Sequence, residues 1–329
     1  MKTFVYTEYG PPDVLQLKEV EKPTFKENEV LVEVCAASIN AYDWHLLSAD
    51  IFLVRLMGGG LLKPKNTKLG ADIAGRVEAV GRNVKQFRPG DEVFGDISAS
   101  GNGGFGEYVS VFERLLVLKP ANLSFEEAAA VPIAALTALQ GLRNQGKIQS
   151  GQKVLIDGAS GGVGTFAVQI AKAFGAEVTA VCSTGKLDLA RSIGADQVID
   201  YTKEDFTKNG QQYDLILAVN GYHPISAYKR ALTTKGIYVM AGGSLVQISQ
   251  AMLLGPLMSE TGGKKMVNVS AKVNQKDLEF IKDLLETGKV VPVIDKRYPF
   301  SEVPEAFRYF GEGHARGKVV ITVGHNSKT

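Results

Sequence analysis

Between Lys153 and Lys186 the chain reads KVLIDGASGGVGTFAVQIAKAFGAEVTAVCSTGK, with glycines where a nucleotide pyrophosphate would need bare backbone. In Ala159-x-Gly161-x-x-Gly164, Gly161 lets the backbone approach the phosphates and Gly164 lets a helix pack closely on a strand. The helix N-terminus adds amide donors and a positive dipole end. Ala159 stands where the dinucleotide fingerprint usually carries its first glycine. A glycine triplet alone is a weak signal; its weight here comes from the strand before it and the helix and strand after it. NAD-selective sites place an Asp or Glu at the end of that second strand to bond the ribose hydroxyls. The chain has Cys182-Ser183-Thr184-Gly185-Lys186 there, so a hydroxyl and a cation face the position of a 2′-phosphate and NADPH is the favoured cofactor. The alternative is that Ser183 caps the helix beginning near Lys186, whose ammonium is then a solvated charge.

The elements that must hold this turn are legible from residue pattern. Val154, Leu155 and Ile156 form an apolar run suited to a buried parallel strand. Val163, Ala167, Ile170, Ala171 and Phe174 recur at helical spacing, Gly175 can end the helix, and Val178 to Cys182 reads as the next buried strand. Further strands are predicted over Gln197 to Tyr201, Leu215 to Val219, Ile237 to Ala241 and Met266 to Val269. Six parallel strands with crossover helices make a doubly wound dinucleotide sheet. Upstream, Phe4 to Tyr6, Leu15 to Val20, Val30 to Ala36, Ile73 to Val80, Glu92 to Gly95 and Phe105 to Val111 read as short strands separated by turn residues, a β-rich domain. Downstream, Asp277 to Glu286 and Pro304 to Phe310 read as helices and Lys318 to Val323 as a closing strand that rejoins the first domain.

At 329 residues the chain exceeds the size of one growing core, so two domains are expected. A net charge of +2, with no concentrated Lys/Arg stripe, argues against nucleic acid as a partner. The longest apolar run, Ala128 to Leu139, is too short to span a bilayer and contains Pro132, so no membrane span is expected. Met1 to Tyr6 alternates like a strand and has no signal-peptide core, which makes the cytoplasm the expected location. Cys35 and Cys182 both sit in apolar β-like runs and read as core residues.

Several further segments carry a family resemblance: Ala37-Ser38-Ile39-Asn40 with Asp43, Gly70-Ala71-Asp72-Ile73-Ala74-Gly75, Pro89-Gly90-Asp91-Glu92-Val93-Phe94-Gly95, Gly104-Phe105-Gly106-Glu107-Tyr108-Val109, Leu136-Thr137-Ala138 and the glycine turn. Together they resemble the medium-chain dehydrogenase/reductase superfamily, in its zinc-independent quinone oxidoreductase and enone reductase branch. The resemblance covers essentially the whole chain. It implies an α/β protein with a discontinuous GroES-like catalytic domain, 1–124 with 274–329, and a Rossmann NADP-binding domain, 125–273. It also implies a homodimer.

Where zinc-dependent relatives hold a catalytic metal, the matching positions are Asn40, Ala71 and the neighbourhood of Ile133, and two cysteines cannot build a four-cysteine structural site. His45, His223, His314 and His325 show no ligand spacing, so no metal is expected. The implied reaction is hydride transfer from NADPH to a small electrophile, a quinone or the C=C of an α,β-unsaturated ketone or aldehyde, which asks less of a Lewis acid than alcohol oxidation does. A non-catalytic NADPH-binding redox sensor or structural protein on the same fold is the other reading. The resemblance makes Asn40 the first candidate for a donor at the developing negative charge or for holding the nicotinamide ribose, with Tyr42 and His45 next. His45 matches a proton-relay position, yet Trp44, Leu46 and Leu47 around it equally suit a structural histidine. Asp43 and Asp72 match recurring family acids, read here as structural. For the cofactor, the resemblance carries Thr137 to the nicotinamide end, Ser160, Gly161, Gly162 and Val163 to the pyrophosphate, Ser183 and Lys186 to the 2′-phosphate and Tyr201 to the adenosine end. Val219 and Asn220 after the fourth strand, and Gly242, Gly243 and Ser244 after the fifth, are expected to face the nicotinamide half. Arg316 and Lys318 match a segment that reaches over the cofactor, or are surface charges.

Overall fold

The structure, a computed structural model, describes residues 1–50, 60–243, 250, 255, 259 and 263–324. Ser244 and His325 lie outside the described residues. The chain forms two compact units: residues 1–133, 273–286 and 292–329 make the first, and 134–272 with 287–291 make the second.

The first unit starts with the antiparallel pair β1 (Lys2–Val5) and β2 (Gln16–Glu19). The strands β3 (Glu29–Ile39), β4 (Asp72–Val80), β5 (Glu92–Asp96), β6 (Tyr108–Phe112) and β7 (Leu116–Leu118) follow. Two short helices interrupt or follow them, α1 (Ala41–Ser48) after β3 and α2 (Phe125–Ala129) after β7. Helix α3 (Pro132–Leu139) comes next in the chain.

The second unit carries β8 (Lys153–Asp157), β9 (Glu177–Cys182), β10 (Gln197–Asp200), β11 (Tyr213–Ala218), β12 (Leu232–Met240) and β13 (Lys265–Asn268). All pair in parallel, in the order β10-β9-β8-β11-β12-β13. Relabelled from the first strand, this is the 3-2-1-4-5-6 order of a doubly wound dinucleotide sheet. Helices α4 (Gly162–Ala173), α5 (Leu187–Ser192) and α6 (Ile225–Arg230) form crossovers. α4 buries Ala167, Ile170 and Ala171 of the stripe its spacing predicts, leaves Val163 and Phe174 half-buried, and also buries Phe166 and Val168, because a helix covered on more than one face buries more than a single stripe.

The chain then returns to the first unit through α7 (Gln275–Glu286), β14 (Ile294–Pro299), α8 (Val303–Gly311) and β15 (Lys318–Thr322). β15 pairs antiparallel with β3, so the larger sheet runs β14-β15-β3-β4-β5-β7 with β6 also on β3. Its core gathers Val30, Val32, Ile39, Ile73, Phe105, Phe307 and Ile321. Two features depart from the expected division of the chain. The first unit extends to Ile133 rather than ending at 124, because α2 packs against β3 and β4, and residues 287–291 belong with the second unit. Strands β7 and β14 are not foreshadowed by sequence: β7 is only three residues long, and β14 has half-exposed or exposed side chains with no alternation.

Gly164 shows how tightly the second unit depends on a missing side chain. A Cβ there would lie 2.1 Å from the Gly158 carbonyl oxygen and 2.7 Å from Ala159 backbone carbon, with no flexible side chain to move aside. Gly164→Ala is therefore expected to destabilise the second unit by about 3 kcal/mol, the upper range for overpacking, measured as a fall in urea midpoint.

Candidate functional site

The turn after β8 does its chemistry with backbone. Gly158 has φ +87°, a left-handed conformation that an L side chain rarely adopts, and so makes the sharp turn one residue before Ala159, which is fully buried. This accounts for an alanine at the fingerprint's first position. Gly161 caps α4 in extended conformation, and a Cβ on it would meet nothing nearer than 3.8 Å. Open space thus lies in front of the cap, where the first amides of α4 have no intrahelical acceptor. Ser160 is buried, Gly162 begins the helix and Val163 is half-buried. These residues fit a bound pyrophosphate.

Glycines also bring the neighbouring strand ends together. A Cβ on Gly158 would touch Asn220 at 2.9 Å, one on Gly242 would lie 2.4 Å from the Val219 carbonyl oxygen, and Gly221 bridges to Gly243. The carboxyl edges of β8, β11 and β12 therefore meet backbone to backbone, gathering Val219, Asn220, Gly242 and Gly243 at the edge where doubly wound sheets bind ligands. Asn220 is exposed and donates to the Tyr222 hydroxyl at 3.2 Å. Thr137 is half-buried on α3.

At the end of β9, Ser183 precedes a single 3-10 turn, Thr184–Lys186. Thr184 donates to Asp200 Oδ2 at 2.5 Å, and Thr202 donates to Asp200 Oδ1 at 2.7 Å. Lys203 lies 3.7 Å from Asp200 Oδ2. Sequence reasoning missed this carboxylate, because it ends the next strand, 16 residues beyond Thr184. The two threonine hydroxyls hold its proton affinity below the usual carboxylate range. Tyr201, immediately after β10, is 54% exposed.

A second constellation lies in the first unit, set by strand register. Ser38 pairs with Asp72 across β3 and β4, Asp72 with Asp96 across β4 and β5, and Val319 with Ile39 across β15 and β3. The register carries Lys318 to Asn40. Its ammonium, 3% exposed, donates to Asn40 Oδ1 at 2.5 Å and to Asp72 Oδ2 at 3.4 Å. Asn40 Nδ2 donates to the same Asp72 oxygen at 2.9 Å, Ser38 donates to it at 3.2 Å, and the Ile133 amide donates to Asp72 Oδ1 at 3.0 Å. Asp43 accepts from the Asn40 and Gly70 amides at 3.0 and 2.9 Å.

Burial pushes the Asp72 carboxyl up and the Lys318 ammonium down, while their contact works against both shifts. Burial also raises Asp43 to about 7 and, with Asp72 directly opposite, Asp96 to about 6. Of these three buried carboxyls, Asp72 is the one in contact with the buried Lys318 cation.

The placement of Lys318 corrects the surface-charge option that sequence left for it: its head group is buried inside the first unit against Asn40 and Asp72. Arg316 is exposed. Asn40 is 6% exposed with both ends of its amide engaged, which suits a positioning residue better than an open donor. Tyr42, 40% exposed, remains accessible. The His45 Nδ1 is paired with Asp50 at 2.8 Å. A further residue that sequence did not single out is Asp157, a charge hidden at the end of an apolar strand. It accepts from the buried Tyr228 hydroxyl at 2.5 Å, and burial raises it to about 7.

A doubly wound nicotinamide-type sheet and a GroES-like β-domain in one chain define a dinucleotide-dependent oxidoreductase. The family model described as "Alcohol dehydrogenase GroES-like domain" matches residues 26–121, and that described as "Zinc-binding dehydrogenase" matches residues 193–321. A 2-methylene-furan-3-one reductase of Solanum lycopersicum is 40% identical over 98% of this chain and 79% of its own. An NADPH-dependent alkenal/one oxidoreductase of Arabidopsis thaliana is 35% identical with the same coverage. The solved quinone oxidoreductase of Coxiella burnetii superposes with a TM-score of 0.87 at 29% identity, covering 98% of this chain and 99% of that one. The chain belongs to the medium-chain dehydrogenase/reductase superfamily, in its quinone oxidoreductase branch.

One of those descriptions implies zinc, and the residues at the metal positions do not fit it. Ala71 and Ile133 offer no side-chain donor, and the one candidate oxygen, on Asn40, already accepts from a buried ammonium that would repel a divalent cation. Among the described residues no three His, Cys, Asp or Glu side chains gather as a metal site.

Two outcomes follow for the buried charges. Lys318→Met leaves the Asp72 carboxylate without its cation and is expected to cost about 3–5 kcal/mol at pH 8, as for a broken buried pair, measured by chemical unfolding. Asp157 binds its proton more tightly when folded than the usual 3.8, so its contribution to stability falls as pH rises from about 4 to 7. Asp157→Asn should match the wild type near pH 4 and exceed it by about 2–4 kcal/mol above pH 7, measured as unfolding free energy against pH.

Proposed function

We propose that this protein is a metal-independent, NADPH-dependent reductase that takes a quinone or the C=C of an α,β-unsaturated ketone or aldehyde as its acceptor. The observation that carries this reading is the closed network that ties Asn40, at one of the positions matched to a zinc ligand, to Lys318 and Asp72, with Ala71 and Ile133 offering no side-chain donor at the other two. No electrophilic metal is available there to steady an alkoxide, so an acceptor whose charge is spread by conjugation suits the site. The names of the tomato and Arabidopsis relatives, an exocyclic enone reductase and an alkenal/one oxidoreductase, support the same acceptor class.

When bound, the reduced nicotinamide supplies the hydride. The chain's part is to bind, orient and donate. Gly161 and the α4 amides hold the pyrophosphate, and Ser183 and Lys186 hold the 2′-phosphate, with Thr184 fixed by Asp200. Val219, Asn220, Gly242 and Gly243 shape the nicotinamide half through their packed turns. In the first unit, Asn40 is locked by its two partners, and the accessible hydroxyl of Tyr42 is the donor for the oxygen on which charge collects.

The test follows absorbance of the reduced nicotinamide with chelator-treated protein and a panel of quinones, enals and enones. Turnover of at least one class is expected; NADPH binding without turnover across the panel would instead support a sensor. Lys186→Glu should raise KM for NADPH at least about tenfold, the loss of one charge-assisted contact, and leave NADH little changed. Equal weakening of both cofactors would contradict the 2′-phosphate assignment.

A further inference from the structure

The end of β9 lacks the acid that selects NAD, yet an acid stands one strand over. Asp200 is the last residue of β10 and pairs with Cys182, the last residue of β9. The Tyr201 amide donates to the Cys182 carbonyl at 3.2 Å, so both strands release their turns from the same end of the ladder. The first turn carries Ser183 and Lys186, and the second carries Tyr201. Those are the side chains that the NADPH reading assigns to the 2′-phosphate and the adenosine end.

Asp200 ties the two turns together. It is 9% exposed, and its Oδ2 accepts from the Thr184 hydroxyl of the first turn at 2.5 Å. Oδ1 accepts from the hydroxyl and the amide of Thr202 in the second turn, at 2.7 and 3.0 Å. The two threonine hydroxyls lie 3.2 Å apart. Backbone bonds close each turn: the Lys186 amide donates to the Ser183 carbonyl at 2.9 Å, and the Lys203 and Glu204 amides donate to the Asp200 carbonyl at 2.9 Å each. The remaining cation on the carboxylate, Lys203, lies 3.7 Å from Oδ2 and is 70% exposed. Among the described residues, every donor to this carboxylate therefore comes from these two turns.

A carboxylate at this edge can act on a 2′-phosphate in two opposed ways. As a bare charge it would repel the phosphate; as a shared acceptor it fixes the turns that hold the phosphate. The geometry favours the second. Both oxygens are engaged by hydroxyls in short, charge-assisted bonds, rather than turned to a ribose as an NAD-selecting acid is. Thr184 spends its proton on Asp200, while Ser183, at the cap of the 3-10 turn, makes no side-chain capping bond. The cap thus does not consume the Ser183 hydroxyl.

We propose that Asp200 is a positioning residue for cofactor choice, clasping the turns after β9 and β10 through Thr184 and Thr202 so that Ser183, Lys186 and Tyr201 are set together for the 2′-phosphate end. The proposal rests on the NADPH reading above, and it makes an acid at this edge favour the phosphorylated cofactor.

The test is a double-mutant cycle on the full chain, read by calorimetric titration with adenosine 2′,5′-bisphosphate and with 5′-AMP, so that no turnover is needed. Thr184→Val keeps the shape of an exposed side chain and removes its donor. Asp200→Asn keeps the shape of the acid and presents an amide N–H to one of the two hydroxyls. Each is expected to lower the preference for the bisphosphate about tenfold, the weight of one charge-assisted contact, with 5′-AMP within about twofold of wild type. The double variant should lose no more than Asp200→Asn alone, because both changes break the same contact. Equal losses for the two probes would mark a merely structural residue, and tighter bisphosphate binding in Asp200→Asn would mark a bare repelling charge; either overturns the proposal. A wild-type preference that survives in both single variants overturns the proposal alone. A wild type that binds the two probes equally overturns the NADPH reading and the proposal with it.

Discussion

One buried ammonium organises the first unit. Lys318 comes from the closing strand and reaches Asn40 and Asp72, which lie 278 and 246 residues earlier in the chain, and Asp72 also holds Ser38 and the Ile133 amide. Such a pair adds little net stability, because desolvating its members offsets their attraction, but it tolerates the loss of neither. Its consequence is specificity of arrangement. β15 has to pair with β3 in the register that sets Val319 opposite Ile39, since a slip of one residue would turn Lys318 away from its carboxylate. The same network includes Asn40, one of the positions matched to a zinc ligand of relatives, and spends its side-chain oxygen on the buried ammonium.

The second unit depends on the opposite device, the absence of side chains. Gly158, Gly164, Gly242 and the Gly221 to Gly243 bridge let strand ends and helix approach until backbone touches backbone. The resulting edge presents backbone rather than side chains, and beside it the short turn after β9 is tied by Thr184 to Asp200. Rigid turns of this kind suit a ligand whose shape is fixed.

Much of this was legible in the sequence because it obeys local rules. The six parallel strands, the centre of the stripe on α4 and the glycine turn each follow from the period of apolar residues and from positions that need bare backbone. Family landmarks drew attention to Asn40, which the structure places in the buried network with Lys318 and Asp72. What escaped was long-range or disguised. Lys318 reads as a surface cation, and only the pairing of β15 with β3 reveals it as a buried one. Asp157 looks like the polar end of a strand until Tyr228 is seen against it. Asp200 reaches Thr184 only because β10 lies beside β9. α2 joins the first unit because of what it packs on, which no boundary signal in the sequence announces.

The central claim is hydride delivery to a conjugated carbon by a protein that needs no metal. The most direct measurement is to supply chelator-treated protein with NADPH deuterated at both C4 positions and an enone, and to locate the label in the product by NMR. The account predicts one deuterium on the former β-carbon per NADPH consumed, with the carbonyl intact. Deuterium on the carbonyl carbon of an allylic alcohol, or label transfer that appears only when zinc is restored, would contradict it.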